Sequence, residues 1–516
     1  MKTNDVKVFV LGLDGGSWNV IMPLIEKGKL PTFKKLLEKG TYGKLKSIIP
    51  PISVPAWKCY FTGKDPGKLG VYAFLKFDPN TYRIKVADSR DFKSLDSADI
   101  LNMHGKKVVI YKMFSTYPAK KVNGVMITDF PNLPNGTYPE GLYEVIKKKF
   151  GEIFNNIAFT TDRVRTYELV LEETKRDFEV IKWLITENDP DFVHMSVPHT
   201  DGVQHFFWRD MVDSKSPYHD YIERMWIMVD KLIEDLLDFL GSTGDNWYFF
   251  IMSDHGFTEC KYRFNIANWL IKKGYLKLTF KGKLIRIVSR VISLDTAYKI
   301  IERVIKFGNE KLKIKRLKWG VQHKLAGDIL YQVIDFKKTK VIPIEGQLLY
   351  LNPRIFEDEN ERRIFVQKLI NELRSIKRPD GEPFVLEIYD GHQLYNKNAP
   401  DIIIIPNQTY VYSLPFIHSD WDIPPEGKWT GMHDMYGIFV AMGEGIKENH
   451  EVKTAKLVDL MPTILHIYGI PIPNDVSGNV LMEIFGEDSK FKEKDPKYAD
   501  YKLKLQVKKV IKKLKL

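Results

Sequence analysis

Cysteine is almost absent. Cys59 and Cys260 are the only two in 516 residues. That excludes a disulfide framework and fits a chain kept in a reducing compartment. Long apolar runs are missing as well. No stretch reaches the roughly 20 residues that a membrane-crossing helix needs. The amino-terminal MKTNDVKVFVLGLDGG has only a short apolar run and no small-residue cleavage site, so it reads as a first strand and not as a signal peptide. No internal repeat is visible.

What is present is a globular composition. Hydrophobic residues make up 44% and aromatics 13%, too much for a disordered chain. The length exceeds one ordinary core and suits a large α/β core with insertions. The net charge of +12 is unevenly spread. Residues 279–324 hold 13 Lys/Arg against Asp295, Glu302 and Glu310. Residues 489–516 hold 11 Lys against Glu493, Asp495 and Asp500. The rest of the chain is therefore mildly acidic, and two segments carry the basicity.

Apolar runs alternate with amphipathic stretches, which predicts a mostly parallel sheet covered by helices on both faces. The expected strands are Val6–Leu13, Lys107–Tyr111, Asp191–Val197, Trp247–Met252, Gly346–Leu351, Asp401–Pro406 and Gly437–Met442. Several are near-continuous apolar runs, as buried parallel strands are. Arg165–Asn188, Tyr218–Leu240 and Leu457–Tyr468 show apolar residues at three- and four-residue spacing and are the clearest helices. Pro462 should restrict or bend the start of the last one. The expected organisation is a catalytic core over 1–278 and 341–487, a basic helical insert over 279–340, and a Lys-rich carboxy-terminal helix or tail over 488–516.

The chemistry sits at the ends of the expected strands. Asp14 follows VFVLGL and precedes Gly15–Gly16, at the carboxyl edge where ligands bind in open α/β sheets. Asp201 and His205 are four apart, so a helix would place both on one face, one turn apart. Asp254 and His255 follow the run WYFFIMS, where two adjacent polar groups are costly unless they bind something. Gly256 would let the backbone turn tightly there. His433 precedes YGIFVAM. Ser53 stands among Pro50, Pro51 and Pro55, which would fix its hydroxyl in place. Each residue alone has an ordinary reading: a capping Asp, a hydrogen-bonded structural His, a Ser in a proline-rich loop. Together they offer hard oxygen and borderline nitrogen donors for two divalent cations, zinc first and manganese second.

The ordered set resembles the alkaline phosphatase superfamily, in the type I phosphodiesterase/nucleotide pyrophosphatase branch. It is most similar to the prokaryotic proteins described as predicted phosphohydrolases or phosphomutases. The stretch LGLDGGSWNVIMPLIEKGKLPTFKKLLEKGTYGKLKSIIPPISVPAWKCYFTGKDPGKLGVY carries the resemblance, and SDHGF, GMHDMYGIFVAMGEGI and VDLMPTILHIYGIPIPNDVSG continue it in order. It spans nearly all of 1–485 except the basic insert. It implies an alkaline-phosphatase-like three-layer α/β sandwich. It implies one metal on Asp201, His205 and His433, and a second on Asp14, Asp254, His255 and the Ser53 oxygen. Ser53 would become a transient phosphoserine. Two departures narrow it. Sulfatases of the superfamily have Cys/Ser-x-Pro-x-Arg at the nucleophile, and here SVPAW puts Trp57 in the Arg position. The nucleotide pyrophosphatases resemble T-F-P-N and H-G-I, against SVPA and LGV here, which argues against nucleotide specificity. No Arg in SVPAWK is placed to clamp a phosphomonoester, although Lys58 is near.

The expected activity is therefore metal-dependent hydrolysis of phosphate mono- or diesters through phosphoserine. A phosphoryl transferase or phosphomutase would use the same ligands with an alcohol as acceptor. A third reading is an inactive core whose basic segments bind lipid or nucleic acid, and the intact ligand set argues against it. The expected substrate is a small phosphorylated molecule, with nucleic acid not expected as a partner. The expected location is the cytoplasm. Residues 279–324 and 489–516 alternate apolar and basic positions at helical spacing, which suits peripheral contact with an anionic inner-membrane surface. The plainer alternative is that the apolar faces pack on the core and the lysines are solvated.

Overall fold

Residues Val6–Leu13 (β1) form a strand in which alternate side chains serve opposite faces, as the two-residue period of a strand requires. Phe9, Leu11 and Leu13 enter one large apolar cluster, while Gly12 faces the indole of Trp57 on the other side. The computed structural model describes residues 6–130, 132–153, 162–289, 333–396, 398–425 and 429–501.

The chain forms two compact units. The first comprises Met1–Val71, Asp88–Thr258 and His433–Leu516, and the second Tyr72–Ala87 and Glu259–Met432. This division differs from the boundaries expected at 278/279 and 340/341. Basicity marked the expected insert, whereas the fold divides according to which strands pair.

In the first unit, β1 is joined by β2 (Thr41–Lys46), β3 (Val108–Met113), β4 (Gly124–Thr128), β5 (Thr137–Tyr138), β6 (Phe192–Val197), β7 (Asn246–Met252), β8 (Tyr436–Met442) and β9 (His450–Lys456). The sheet order is β9-β2-β8-β7-β1-β6-β3-β4-β5. All strands run the same way except β8, antiparallel to both neighbours, and the short edge strand β5. The mixed α/β architecture with a large, mostly parallel sheet is the one the sequence predicts. The antiparallel direction of β8 has no mark in the sequence, since an apolar run does not encode strand polarity.

Five helices matter below: α1 (Ser53–Thr62), α2 (Arg163–Asn188), α3 (His199–Val212), α4 (Tyr221–Ser242) and α5 (Phe280–Val288). Helix α2 brings Val170, Phe178, Ile181 and Leu184, and α4 brings Met225, Trp226, Val229, Ile233 and Leu236, to the cluster that contains Phe9 and Leu11. These are the three- and four-residue repeats seen in the sequence. Leu457–Asp459 is a short 3-10 turn, and the α-helix proper runs Leu460–Ile467 with Pro462 in its first turn, where a missing N–H costs nothing.

The second unit contains an antiparallel four-stranded sheet of Val341–Ile344, Leu348–Leu351, Ile402–Pro406 and Val385–Asp390. Helix Glu359–Arg374 packs Leu369, Ile370 and Leu373 into a core with Leu349, Leu351 and Ile402. The strands expected at 346–351 and 401–406 therefore exist, but they pair here and not in the large sheet. Of the expected basic insert, 290–332 lie outside the described residues, as do 502–516 of the expected carboxy-terminal helix or tail. The described part of the latter is not helical over 488–500, where Tyr498–Ala499 pairs as a short strand with Ile472–Pro473. Among the described residues no helix is long and apolar enough to cross a membrane.

Candidate active site

Three neighbouring parallel strands deliver the polar residues. β1 ends at Leu13 and releases Asp14, β6 ends at Val197 and leads into α3 with Asp201 and His205, and β7 ends at Met252 ahead of Asp254 and His255. Because β8 runs the other way, its start lies at the same edge and brings His433 with it. Every candidate residue thus reaches one place.

Two groups of three donors form there. Asp201, His205 and His433 make one, and Asp14, Asp254 and His255 the other, each with its donor atoms within 4.8 Å of one another. In the first group His205 Nε2 and His433 Nε2 lie 3.3 and 3.4 Å from Asp201 Oδ1. In the second His255 Nε2 lies 3.2 Å from Asp254 Oδ2 and 3.6 Å from Asp14 Oδ1. The groups adjoin, since His255 and His433 stack with ring centroids 3.6 Å apart. Ser53 Oγ lies 3.1 Å from His255 Nε2, so the expected nucleophile joins the second group.

Backbone carbonyls select the imidazole nitrogens. His433 Nδ1 is 2.9 Å from Pro51 O and His255 Nδ1 is 3.0 Å from Gly256 O. A ring that donates from Nδ1 keeps Nε2 as the lone-pair donor, the arrangement that orients metal-binding histidines.

The buried charges do not balance among themselves. Asp14 Oδ1, Asp201 Oδ1 and Asp254 Oδ2 are buried and have no hydrogen-bond partner. Burial, then the nearby Asp254 and Asp201, pushes the Asp14 carboxyl well above its ordinary range. Burial also pushes Asp254 up to about 6, with Asp201 adding and His433 opposing. Burial and the His433 charge drive His255 well below its usual value. Burial would raise Asp201, yet His205 and His433 outweigh it and hold its carboxyl low. Burial opposes protonation of His433, and its contact with Asp201 wins. Carboxylate oxygens without a hydrogen bond, imidazole nitrogens and a hydroxyl converging in a dry site make a donor set that fits divalent cations.

Support comes from residues that no local pattern announces. Thr200 Oγ1 donates to Asp14 O at 2.6 Å, and Gln204 Nε2 donates to Gly15 O at 2.9 Å, so α3 holds the turn after β1. Gly15 N–H donates to Asp254 Oδ1 at 3.2 Å. Gly15 has φ +65, and a Cβ there would meet the Phe257 ring at 2.8 Å, so only glycine fits. Gly256 serves another purpose than the tight turn expected of it. A Cβ on it would meet Tyr436 O at 2.0 Å, so it permits close approach of two backbones. Lys112 lies buried with Nζ 2.8 Å from Asp177 and 2.9 Å from Glu173 on α2, and His199 Nε2 at the first turn of α3 is 3.3 Å from Glu173.

Two residues near Ser53 in sequence are structural. Trp57 is fully buried, with its ring against Gly12 and edge-on to His194. Lys58 is buried with Nζ 2.9 Å from Asp96, so it does not reach for a phosphate. Burial alone would raise Asp96, but Lys58 and Lys120 together keep its carboxyl far below the usual range. Breaking a buried pair strands the other charge. We expect Asp96→Ala to cost about 3–5 kcal/mol of stability. Urea unfolding measures it, and a loss below about 1 kcal/mol would show that the pair does not anchor α1.

Residues 8–433 match the family model described as type I phosphodiesterase / nucleotide pyrophosphatase. No curated protein matches the chain. Among solved structures, human ectonucleotide pyrophosphatase / phosphodiesterase 5 is similar over 93% of this chain and 98% of its own, at 14% identity and a TM-score of 0.52. Phosphonoacetate hydrolase from Sinorhizobium meliloti 1021, in complex with phosphonoformate, is similar over 89% and 94%, at 13% identity and a TM-score of 0.56. A variant of the alkaline phosphatase PafA is similar over 94% and 100%, at 15% identity and a TM-score of 0.54. At these identities the likeness is one of fold.

Proposed function

Since the chain belongs to the type I phosphodiesterase / nucleotide pyrophosphatase family of the alkaline phosphatase superfamily, and is thus a phosphoester hydrolase, we propose that it cleaves phosphate esters with Ser53 as nucleophile at a site for two divalent cations. The observation that carries this reading is the position of Ser53 Oγ, 3.1 Å from His255 Nε2 and beside two three-donor groups. Asp201, His205 and His433 would hold one cation, and Asp14, Asp254, His255 and Ser53 Oγ the other. Zinc suits the Asp/His mixture first, and manganese second. Two such cations supply the positive charge that lowers a hydroxyl pKa and offsets charge on the phosphoryl oxygens.

The chain's own groups do the rest. Ser53 opens α1, so its hydroxyl stands at the positive end of the helix dipole. Ala56 N–H bonds Ile52 O at 3.0 Å and Pro55 has no N–H, which leaves the N–H groups of Ser53 and Val54 for a phosphoryl oxygen. Ser53 Oγ attacks phosphorus in line, the P–O bond to the leaving group breaks, and the departing alkoxide takes a proton. Water then attacks the phosphoserine from the side the leaving group vacated and gives up a proton that restores the Ser53 hydroxyl, releasing phosphate from a monoester substrate or a phosphomonoester from a diester.

Trp57 separates this chemistry from sulfate transfer. Buried against Gly12 and His194, it offers no guanidinium at the position where sulfatases of the superfamily carry Arg. The metal-loaded protein should hydrolyse p-nitrophenyl phosphate or bis(p-nitrophenyl) phosphate faster than p-nitrophenyl sulfate. A sulfatase rate above both phosphoester rates would overturn the assignment.

A further inference from the structure

Helix α5 is built inside out. Arg286 turns inward and is fully used there: its guanidinium donates to Pro415 O, to Ile417 O at 3.2 Å and to Asn268 Oδ1. The Arg286 carbonyl accepts from His418 Nε2 at 2.7 Å, and Ser289 Oγ donates to Phe416 O at 2.6 Å. Gly282 lies against the Val333 backbone so closely that a Cβ would meet Val333 O at 2.4 Å. The inner face thus sets Gly282, Arg286 and Ser289 beside one apolar residue, Ile285, which packs on the core of the second unit.

The outer face is apolar. Phe280 is 85% exposed, Leu284 53% and Ile287 61%. Their spacing of four and three residues puts them on one stripe. A globular protein ordinarily arranges such a helix the other way round. Lys281 and Lys283 are exposed beside the stripe. Residues 271–289 contain six Lys/Arg and no acidic residue. Of these, Lys272 and Lys273 are committed to Asp420 and Glu372.

We propose that the outer face of α5 docks on an anionic lipid surface, with Phe280, Leu284 and Ile287 entering the headgroup boundary and Lys281 and Lys283 meeting lipid phosphates. An exposed apolar stripe rimmed by lysine is the pattern of helices that lie in a membrane interface. Long lysine stems run along the apolar boundary while their ammonium groups stay at the headgroups. A second copy fits worse, because a two-fold contact would bring two lysine-rimmed stripes together with no acidic residue in 271–289 of either copy to meet the lysines. With no crossing helix among the described residues, the contact is peripheral. This inference is independent of the catalytic reading.

Sedimentation of the full metal-loaded chain with vesicles tests it, using phosphatidylcholine alone and phosphatidylcholine mixed with phosphatidylglycerol, at low and high salt. Wild type should sediment with the mixed vesicles at low salt and not with phosphatidylcholine alone. The double variant Phe280→Asp/Leu284→Asp should bind at least about tenfold more weakly. Lys281→Glu/Lys283→Glu should also weaken binding, and salt should then matter less. Both variants should keep the wild-type circular dichroism spectrum and melting temperature, which verifies their folding. Failure of wild type to sediment, equal binding to neutral vesicles, or undiminished binding of Phe280→Asp/Leu284→Asp would overturn the proposal. So would self-association in the ultracentrifuge that this variant abolishes, which would assign the face to a second copy.

Discussion

Ser53→Ala is expected to lower phosphoester turnover by at least about 10^3-fold while leaving the protein folded and metal-loaded. The asymmetry follows from what the side chain does. The hydroxyl makes one contact, to His255, and its loss costs stability only about 1 kcal/mol. Cluster donors Asp14, Asp254 and His255 stay in place, so a cation held there would lose one ligand of four. The reaction loses its attacking atom. If Ser53→Ala cleaves bis(p-nitrophenyl) phosphate at the wild-type rate, water attacks phosphorus directly and phosphoserine is not on the path.

The second large effect separates the two clusters. Asp201→Asn should remove the cation of the first group and Asp254→Asn that of the second, each halving the bound metal. Turnover should fall roughly 10^3-fold in both, because several kcal/mol of transition-state charge stabilisation go with either cation. The metal-free proteins should diverge. The Asp201 carboxylate is favoured by His205 and His433, so neutralising it should destabilise the metal-free fold. Asp254 is disfavoured as an anion, by burial first and then by Asp201, so neutralising it should stabilise that fold. Metal binding then trades against stability, as functional sites commonly do. Elemental analysis and thermal unfolding after chelation measure both parts. Unchanged metal content in both variants would refute the division into two groups.

Much of this site is legible in the sequence because its residues stop apolar runs. Asp14 and Asp254 follow strand ends, His433 comes shortly before β8, and Asp201 and His205 show a helical interval directly after another strand. Strand ends in a mostly parallel sheet converge on one edge, so a linear pattern becomes a spatial cluster. Other features depend on tertiary pairing and leave no local mark. Leu348–Leu351 and Ile402–Pro406 look like any buried strand, and only their partners assign them to the second unit. Gly256 looks like a turn residue, and only the carbonyl of Tyr436 explains it. Thr200, Gln204, Glu173 and Asp96 are ordinary polar residues until their partners are seen. The periodicity of α5 is readable, yet the sequence does not say which face looks inward, and Arg286 decides it by finding its acceptors inside.

The central claim is that the two donor groups make this chain a metal-dependent phosphoester hydrolase. Turnover of bis(p-nitrophenyl) phosphate and p-nitrophenyl phosphate by one protein sample, as purified, after chelation, and after return of zinc or manganese, tests it most directly. The account predicts that chelation abolishes hydrolysis of at least one ester and that one of the two metals restores it. Hydrolysis that survives complete metal removal, or none with either metal bound, would contradict it.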